Sequence, residues 1–177
     1  MPQVFVAAGS NVAPYEHMAL ATRELKRAFP DVRFSPWYRN SAAGFEGSDF
    51  INLVAAFETE LAVEELRVVL RAIEALCGRP RGAPRWAPRT MDLDVLLYGD
   101  LVCKRPDLVL PRPDLLARAY MLGPLADIAP DLKHPTAGVS IGELWRRFDQ
   151  GSHPLERVAD DATSRRCDPR PPRESDR

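Results

Sequence analysis

Met91-Asp92-Leu93-Asp94-Val95-Leu96-Leu97-Tyr98-Gly99-Asp100-Leu101-Val102-Cys103 alternates acids with apolar residues, runs through leucines and breaks at Gly-Asp before a second apolar pair. The pattern predicts a strand over 92–98, a hairpin turn at Gly99-Asp100 and a returning strand at 101–103. A hairpin joins antiparallel strands, which argues against a doubly wound parallel sheet. Just upstream, 79–91 is irregular, and before it 62–77 is the clearest helix in the chain. Val63, Leu66, Val69, Leu70, Ile73 and Leu76 form its apolar stripe, Glu64 and Glu65 sit in its first turn, and Gly78 ends it.

Further out, Val4 to Ala8 reads as a buried strand ending in the turn Gly9-Ser10-Asn11. Met18, Thr22, Leu25 and Phe29 recur at helical spacing over 14–29, with a cap expected from Asn11 or a neighbour and a stop at Pro30. Residues 32–38 read as a strand that Pro36 confines to an edge or bulge. Residues 40–48 are a loop, and 50–60 are extended. Beyond the proline-punctuated 105–113, short helices are expected over 115–128 and 141–148. Strands and helices in mixed order give an α+β fold.

The chain has 177 residues, 45% hydrophobic and 28% charged, which suits one domain able to bury roughly 70% of its unfolded surface. That domain is expected at 1–150. Residues 151–177 carry six arginines, six acids and four prolines with few large apolar groups, and read as a disordered tail. The net charge of −1 argues against a globally basic nucleic-acid binder. Three cysteines without close pairing, and three scattered histidines, indicate neither a disulfide framework nor zinc. No apolar run approaches the ~20 residues of a membrane span, and no basic leader precedes Val4, so a cytoplasmic protein without membrane partners is expected.

The chemistry concentrates around the opening stretch. On a strand, Asp92 and Asp94 leave the same face with Cα atoms ~6.6 Å apart. Two carboxylates so spaced can share two divalent ions that grip the attacking and leaving oxygens of a phosphoryl displacement, and hard oxygen ligands favour Mg²⁺. Paired acids that merely keep a strand edge soluble are the competing reading. The preceding segment holds Arg79, Arg81, Arg85 and Arg89 and no acid. Guanidinium forks beside carboxylate-held metal suit a polyphosphate. Trp86 in that segment either covers a flat ligand or pins the segment to the core.

Residues Arg85-Trp86-Ala87-Pro88-Arg89-Thr90-Met91-Asp92-Leu93-Asp94, closing at Gly99, resemble the signature of the 6-hydroxymethyl-7,8-dihydropterin pyrophosphokinase family, R-W-x-P-R-T-x-D-L-D-x-x-x-x-G. The resemblance extends to Gly9-Ser10-Asn11, Tyr38-Arg39, Phe50-Ile51-Asn52, Glu74, Pro124-Leu125 and Ile128-Ala129-Pro130, over about residues 3–148. It implies a ferredoxin-like αβ sandwich with a mainly antiparallel sheet covered by helices. It also implies Mg²⁺-dependent transfer of pyrophosphate from ATP to a reduced pterin alcohol with release of AMP, by a monomer with no nucleic-acid partner.

Carried over residue by residue, the resemblance assigns two Mg²⁺ to Asp92 and Asp94, and charge stabilisation on the moving phosphates to Arg79 and Arg89. Nucleotide contacts fall to Arg71, Arg81, Arg85, Val95, Arg112 and Arg118. Glu74 either contacts ATP or an arginine, or pairs with Arg71 on its own helix. The pterin falls to Asn40, Ser41, Ala43, Phe50, Asn52, Trp86 and Tyr120, with Asn52 reading its edge. Asn52 bonding neighbouring backbone, and Tyr120 in the core, are the competing readings of those two. The chain departs from the family at Arg112-Pro113, where a histidine is common, at Arg71, where glutamine is frequent, and at 40–43, which lacks the family's stiffer proline-bearing loop.

Two other classes compete. A nucleotidyltransferase would keep the metal and ATP but release pyrophosphate. A small RNA-binding module would use the arginines alone, and would have no need of paired acids that repel phosphate without a metal.

Overall fold

The N-terminal apolar run forms β1 (Gln3–Ser10), and its burial is two-sided. Val4, Val6 and Ala8 enter one core, Phe5 and Ala7 another, which is why the run is continuously apolar rather than alternating. The computed structural model describes residues 1–41, 48–78 and 90–159.

After β1 come α1 (Pro14–Ala28), β2 (Arg33–Phe34), β3 (Trp37–Asn40), β4 (Phe50–Glu58), α2 (Val63–Leu76) and β5 (Asp92–Tyr98). The hairpin β6 (Cys103–Arg105)–β7 (Leu108–Leu110), a 3₁₀ turn (Pro113–Leu116), α3 (Ala119–Ile128), α4 (Ile141–Arg147) and β8 (Glu156–Val158) complete the chain. The main sheet runs β5-β1-β4-β3-β8, with β2 also on β4, and every pairing is antiparallel. From β1 to β5 the chain traces βαββαβ, the ferredoxin-like pattern, with its second strand broken into β2 and β3, which both pair with β4. The fold is therefore α+β, as expected.

Helices cover both faces. Met18, Ala21 and Leu25 of α1 and Leu66, Leu70 and Ile73 of α2 pack on one side. Met121, Leu122, Leu125 and Ala126 of α3 and Ile141 of α4 pack on the other. Each fully buried leucine or isoleucine contributes roughly 1.5–3 kcal/mol, so these stripes hold the helices to the sheet. The N-terminal end of α2 is closed by Glu65, whose Oε2 accepts the Ala62 N–H at 2.8 Å.

Several expectations are corrected. The cap position of α1 falls to Ala13, at φ 40°, and Pro14 fits the first turn because it has no N–H to satisfy, so Asn11 lies outside the helix. The turn after β5 exists, with Leu101 N–H donating to Tyr98 O at 3.0 Å, but the chain does not return along β5. The hairpin forms one step later, where Cys103–Arg105 pairs with Leu108–Leu110. The expected helix over 115–128 is a 3₁₀ turn followed by α3. The tail is not structureless from residue 151: Glu156–Val158 pairs with Trp37–Arg39 and covers the outer edge of β3.

Candidate active site

One row of residues crosses the sheet. Tyr38 on β3 lies opposite Asn52 on β4, Asn52 opposite Gly9 on β1, and Gly9 opposite Asp92 on β5. A Cβ on Gly9 would sit 2.9 Å from Asn52 Oδ1, so only a glycine lets that amide lie across β1. Asn52 is buried, and its Nδ2 donates a short hydrogen bond to Asn40 Oδ1. On β5, Leu93 and Val95 enter the core beneath α1 and α2. The period of two then turns Asp92 and Asp94 to the opposite face.

On that face lies a cavity of about 360 Å³, lined among others by Gly9, Asn40, Phe50, Asn52, Arg118 and Tyr120. A second cavity of about 320 Å³ lies on the outer side of β5, between α2 and the β6–β7 hairpin. Its walls include Arg67, Arg71 and Glu74 from α2, Val95, and Leu108 and Val109 from the hairpin. Asp92, Asp94 and Arg112 line both cavities and form the place where they meet.

Arg112 is fixed at its backbone, where its N–H donates to Leu96 O at 2.9 Å. Its guanidinium bridges two carboxylates, with Nη1 3.1 Å from Asp94 Oδ1 and Nη2 3.4 Å from Asp114 Oδ2. Its Nε is buried without a hydrogen-bond partner. Glu74 reaches from α2 to β5, and its Oε1 accepts the Leu93 N–H at 2.8 Å. That bond satisfies a backbone donor between the two acids and ties their strand to the helix. Arg67 clamps the hairpin, with Nη1 2.9 Å from Asp107 Oδ2 and Nη2 donating to Asp107 O at 2.9 Å. The Arg67 hydrogen bond, above all, holds the Asp107 carboxyl below the usual carboxylate range. Burial pushes the Tyr120 hydroxyl up, with Asp114 and Asp94 adding to the shift against Arg118 and Arg112.

The chain matches the model of a family described as 7,8-dihydro-6-hydroxymethylpterin-pyrophosphokinase (HPPK) over residues 5–130. The 2-amino-4-hydroxy-6-hydroxymethyldihydropteridine pyrophosphokinase of Pseudomonas aeruginosa is 42% identical over 137 residues, 75% of this chain and 84% of that one. The chain belongs to this family. The enzyme of the same name from Haemophilus influenzae is 35% identical over 152 residues, covering 84% of this chain and 94% of that one. The fold is shared with a solved HPPK-DHPS chain in complex with substrates, at TM-score 0.63 and 13% identity over 82% of this chain. A Plasmodium falciparum HPPK-DHPS with pterin and p-hydroxybenzoate gives TM-score 0.64 at 14% identity. The chain spans 43% and 42% of those two longer chains. As a member of the pyrophosphokinase family, it is an ATP-dependent diphosphotransferase of folate biosynthesis.

Within this pyrophosphokinase the expected site residues sort by cavity. Asn40, Phe50, Asn52 and Tyr120 line the first, and Arg71, Glu74 and Val95 the second. Tyr120 also packs against the core beneath α3. Arg118 lies on the wall of the first cavity. Ser41 is exposed and lines neither. Arg79, Arg81, Arg85, Trp86, Arg89 and Ala43 lie outside the described residues.

The sequence reading missed Arg67, Asp107 and Asp114. Arg67 was findable, since it precedes Arg71 by four residues and Glu74 by seven on one helix face. Asp107 arrives through the β6–β7 hairpin and carries no local signal. Among the described residues no three His, Cys, Asp or Glu converge as a metal cage. Asp92 and Asp94, lining a shared cavity wall, are hard oxygen donors of the kind that would hold Mg²⁺. Among the described residues, no helix is long and apolar enough to cross a membrane.

Proposed function

We propose that this chain moves the β,γ-diphosphate of ATP to the hydroxymethyl oxygen of 6-hydroxymethyl-7,8-dihydropterin. The oxygen attacks the β-phosphorus, the bond from that phosphorus to the α,β-bridging oxygen breaks, AMP leaves with the bridging oxygen, and the hydroxyl proton passes to water. The observation that carries this reading is the meeting of two cavities at Asp92, Asp94 and Arg112, which gives two substrates one reaction point.

Asp92 and Asp94 would hold two Mg²⁺ ions, which would supply charge neutralisation at the phosphate oxygens. In the first cavity Asn52, oriented by Asn40, reads the amide-like edge of the pterin, while Phe50 and Tyr120 flank its flat face. Ser41, Ala43 and Trp86 are assigned to the same substrate, and Arg118 joins them rather than the nucleotide. In the second cavity Arg71, Val95 and Arg112 face the nucleotide, and Glu74 holds the acid strand in position. Arg81 and Arg85 bind the triphosphate, and Arg79 and Arg89 stabilise charge on the group in flight. The enzyme works in the cytoplasm as a monomer, without nucleic acid, its domain ending near residue 150 except for the β8 segment.

Product identity tests this. Incubation with ATP, Mg²⁺ and the pterin alcohol should give AMP and a pterin diphosphate in equal amounts. Release of ADP or of pyrophosphate would overturn the assignment of the attacked phosphorus. Asp94→Ala should lower turnover by about three orders of magnitude or more, the range seen when electrostatic stabilisation of a transition state is lost, while circular dichroism stays unchanged.

A further inference from the structure

An acid stands in the wall of the cavity assigned to ATP, at odds with a site for a polyanion. Asp107 lines the second cavity together with Arg67, Leu108 and Val109. A carboxylate there repels phosphate unless cations engage it. Two do. Arg67 Nη1 lies 2.9 Å from Asp107 Oδ2, and Arg67 Nη2 donates to Asp107 O at 2.9 Å. Arg105 Nε lies 3.3 Å from Asp107 Oδ1, and Arg105 also pairs with Glu64 in the first turn of α2. The tip of the β6–β7 hairpin is thus tied to α2 twice, by Asp107 to Arg67 and by Arg105 to Glu64.

The build of the hairpin gives these ties their importance. β6 and β7 form a sheet of their own and share no ladder with the main sheet. Leu110, at the end of the hairpin away from the tip, is buried in the core, whereas Leu108 packs against it only in part and Val109 is exposed. The stretch of wall nearest the tip is therefore placed largely by charge. Arg67 precedes Glu74 by seven residues, about 10 Å of helix, so the tie sits at the end of the cavity away from the acid strand that Glu74 holds.

Building on the proposed function, we infer that Arg67 and Asp107 are positioning residues for ATP. They act through the hairpin: their contact sets the wall formed by Leu108 and Val109, and that wall confines the end of ATP remote from the reacting phosphates. The Asp107 carboxylate serves to hold the Arg67 guanidinium, and Arg67 and Arg105 offset its repulsion of phosphate. Removing the acid should then weaken ATP binding, the reverse of what its charge alone predicts.

The test is steady-state kinetics on the full chain, with ATP and the pterin alcohol varied in turn. Asp107→Asn should raise the KM for ATP about threefold, the scale of one partly exposed ion pair, with kcat and the KM for the pterin within error of wild type. Arg67→Met, which also loses the bond to the Asp107 carbonyl, should raise it at least as far, and the double variant no further than Arg67→Met. Arg67→Lys, which keeps the charge but not the fork, should fall between wild type and Arg67→Met. Asp107→Ala should repeat the result if the asparagine variant does not fold. An unchanged or lowered KM for ATP in Asp107→Asn with the pterin KM unmoved, additive effects in the double variant, or a loss confined to kcat overturns the inference and leaves the pyrophosphokinase reading intact. A raised KM for the pterin with that for ATP unchanged overturns the assignment of the second cavity to the nucleotide, and this inference with it.

Discussion

Gly9 is the smallest residue in the site, and what it lacks matters most. The missing Cβ gives Asn52 its place, and the Asn52–Asn40 hydrogen bond then fixes which way the amide points. Gly9→Ala would drive a methyl group to 2.9 Å from Asn52 Oδ1, so the amide must rotate or the strands must part. The expected result is a KM for the pterin raised about tenfold, the worth of roughly one hydrogen bond, with the KM for ATP nearly unchanged. Steady-state kinetics with each substrate varied in turn checks this, and an equal rise in both KM values would contradict the division between the cavities. The sequence marked Gly9, Asn52 and the two aspartates individually. It could not mark the row, because the alignment of Gly9 with Asn52 and Asp92 depends on strand register across three separated segments.

At the scale of elements, β3 carries Asn40 to the cavity and is held from two sides. One hold is β8, which occupies its outer edge and adds the Arg39–Glu156 ion pair at 3.3 Å. The other is Tyr38, whose hydroxyl donates to Asp127 of α3 at 2.6 Å. Burial first, and then the Asp127 carboxylate, push the Tyr38 pKa from the ordinary 10 up to about 12. A raised folded-state pKa means that the stabilisation is fully present below pH 10 and is lost as the pH climbs from 10 through 12. Urea unfolding as a function of pH should therefore show stability falling across that window. Tyr38→Phe should lose about 1 kcal/mol at neutral pH, one hydrogen bond's net contribution, and decline less steeply between pH 10 and 12. An unchanged alkaline slope in the variant would remove Tyr38 as its source. Neither hold was legible beforehand. The composition of the last 27 residues is that of an unstructured segment, and its average hides three residues that need only an open strand edge to become ordered.

Across the whole molecule, elements whose stability comes from their own periodicity were read well. α2, β1 and β5 appear close to where their patterns put them. What escaped was long-range pairing: which strand the chain meets after Gly99, how β8 returns, and how the β6–β7 hairpin swings Asp107 against Arg67 to wall the second cavity. The core itself uses no metal-ligand cluster among the described residues, since the two helix-covered faces of the sheet are apolar. Treatment with EDTA should therefore abolish turnover and leave the thermal unfolding midpoint within error of the untreated protein. A midpoint lowered by several degrees, restored by Mg²⁺, would assign the ion a share in folding as well.

The acids and the core alternate along the first four residues of one strand, 92–95, and this ties two kinds of selection together. A slip of β5 by a single residue against β1 would swing Asp92 and Asp94 under α2 and bring Leu93 and Val95 out into the cavity. Such a chain would fail to fold before it failed to react. Drift that preserves a folded protein thus preserves the direction of its carboxylates.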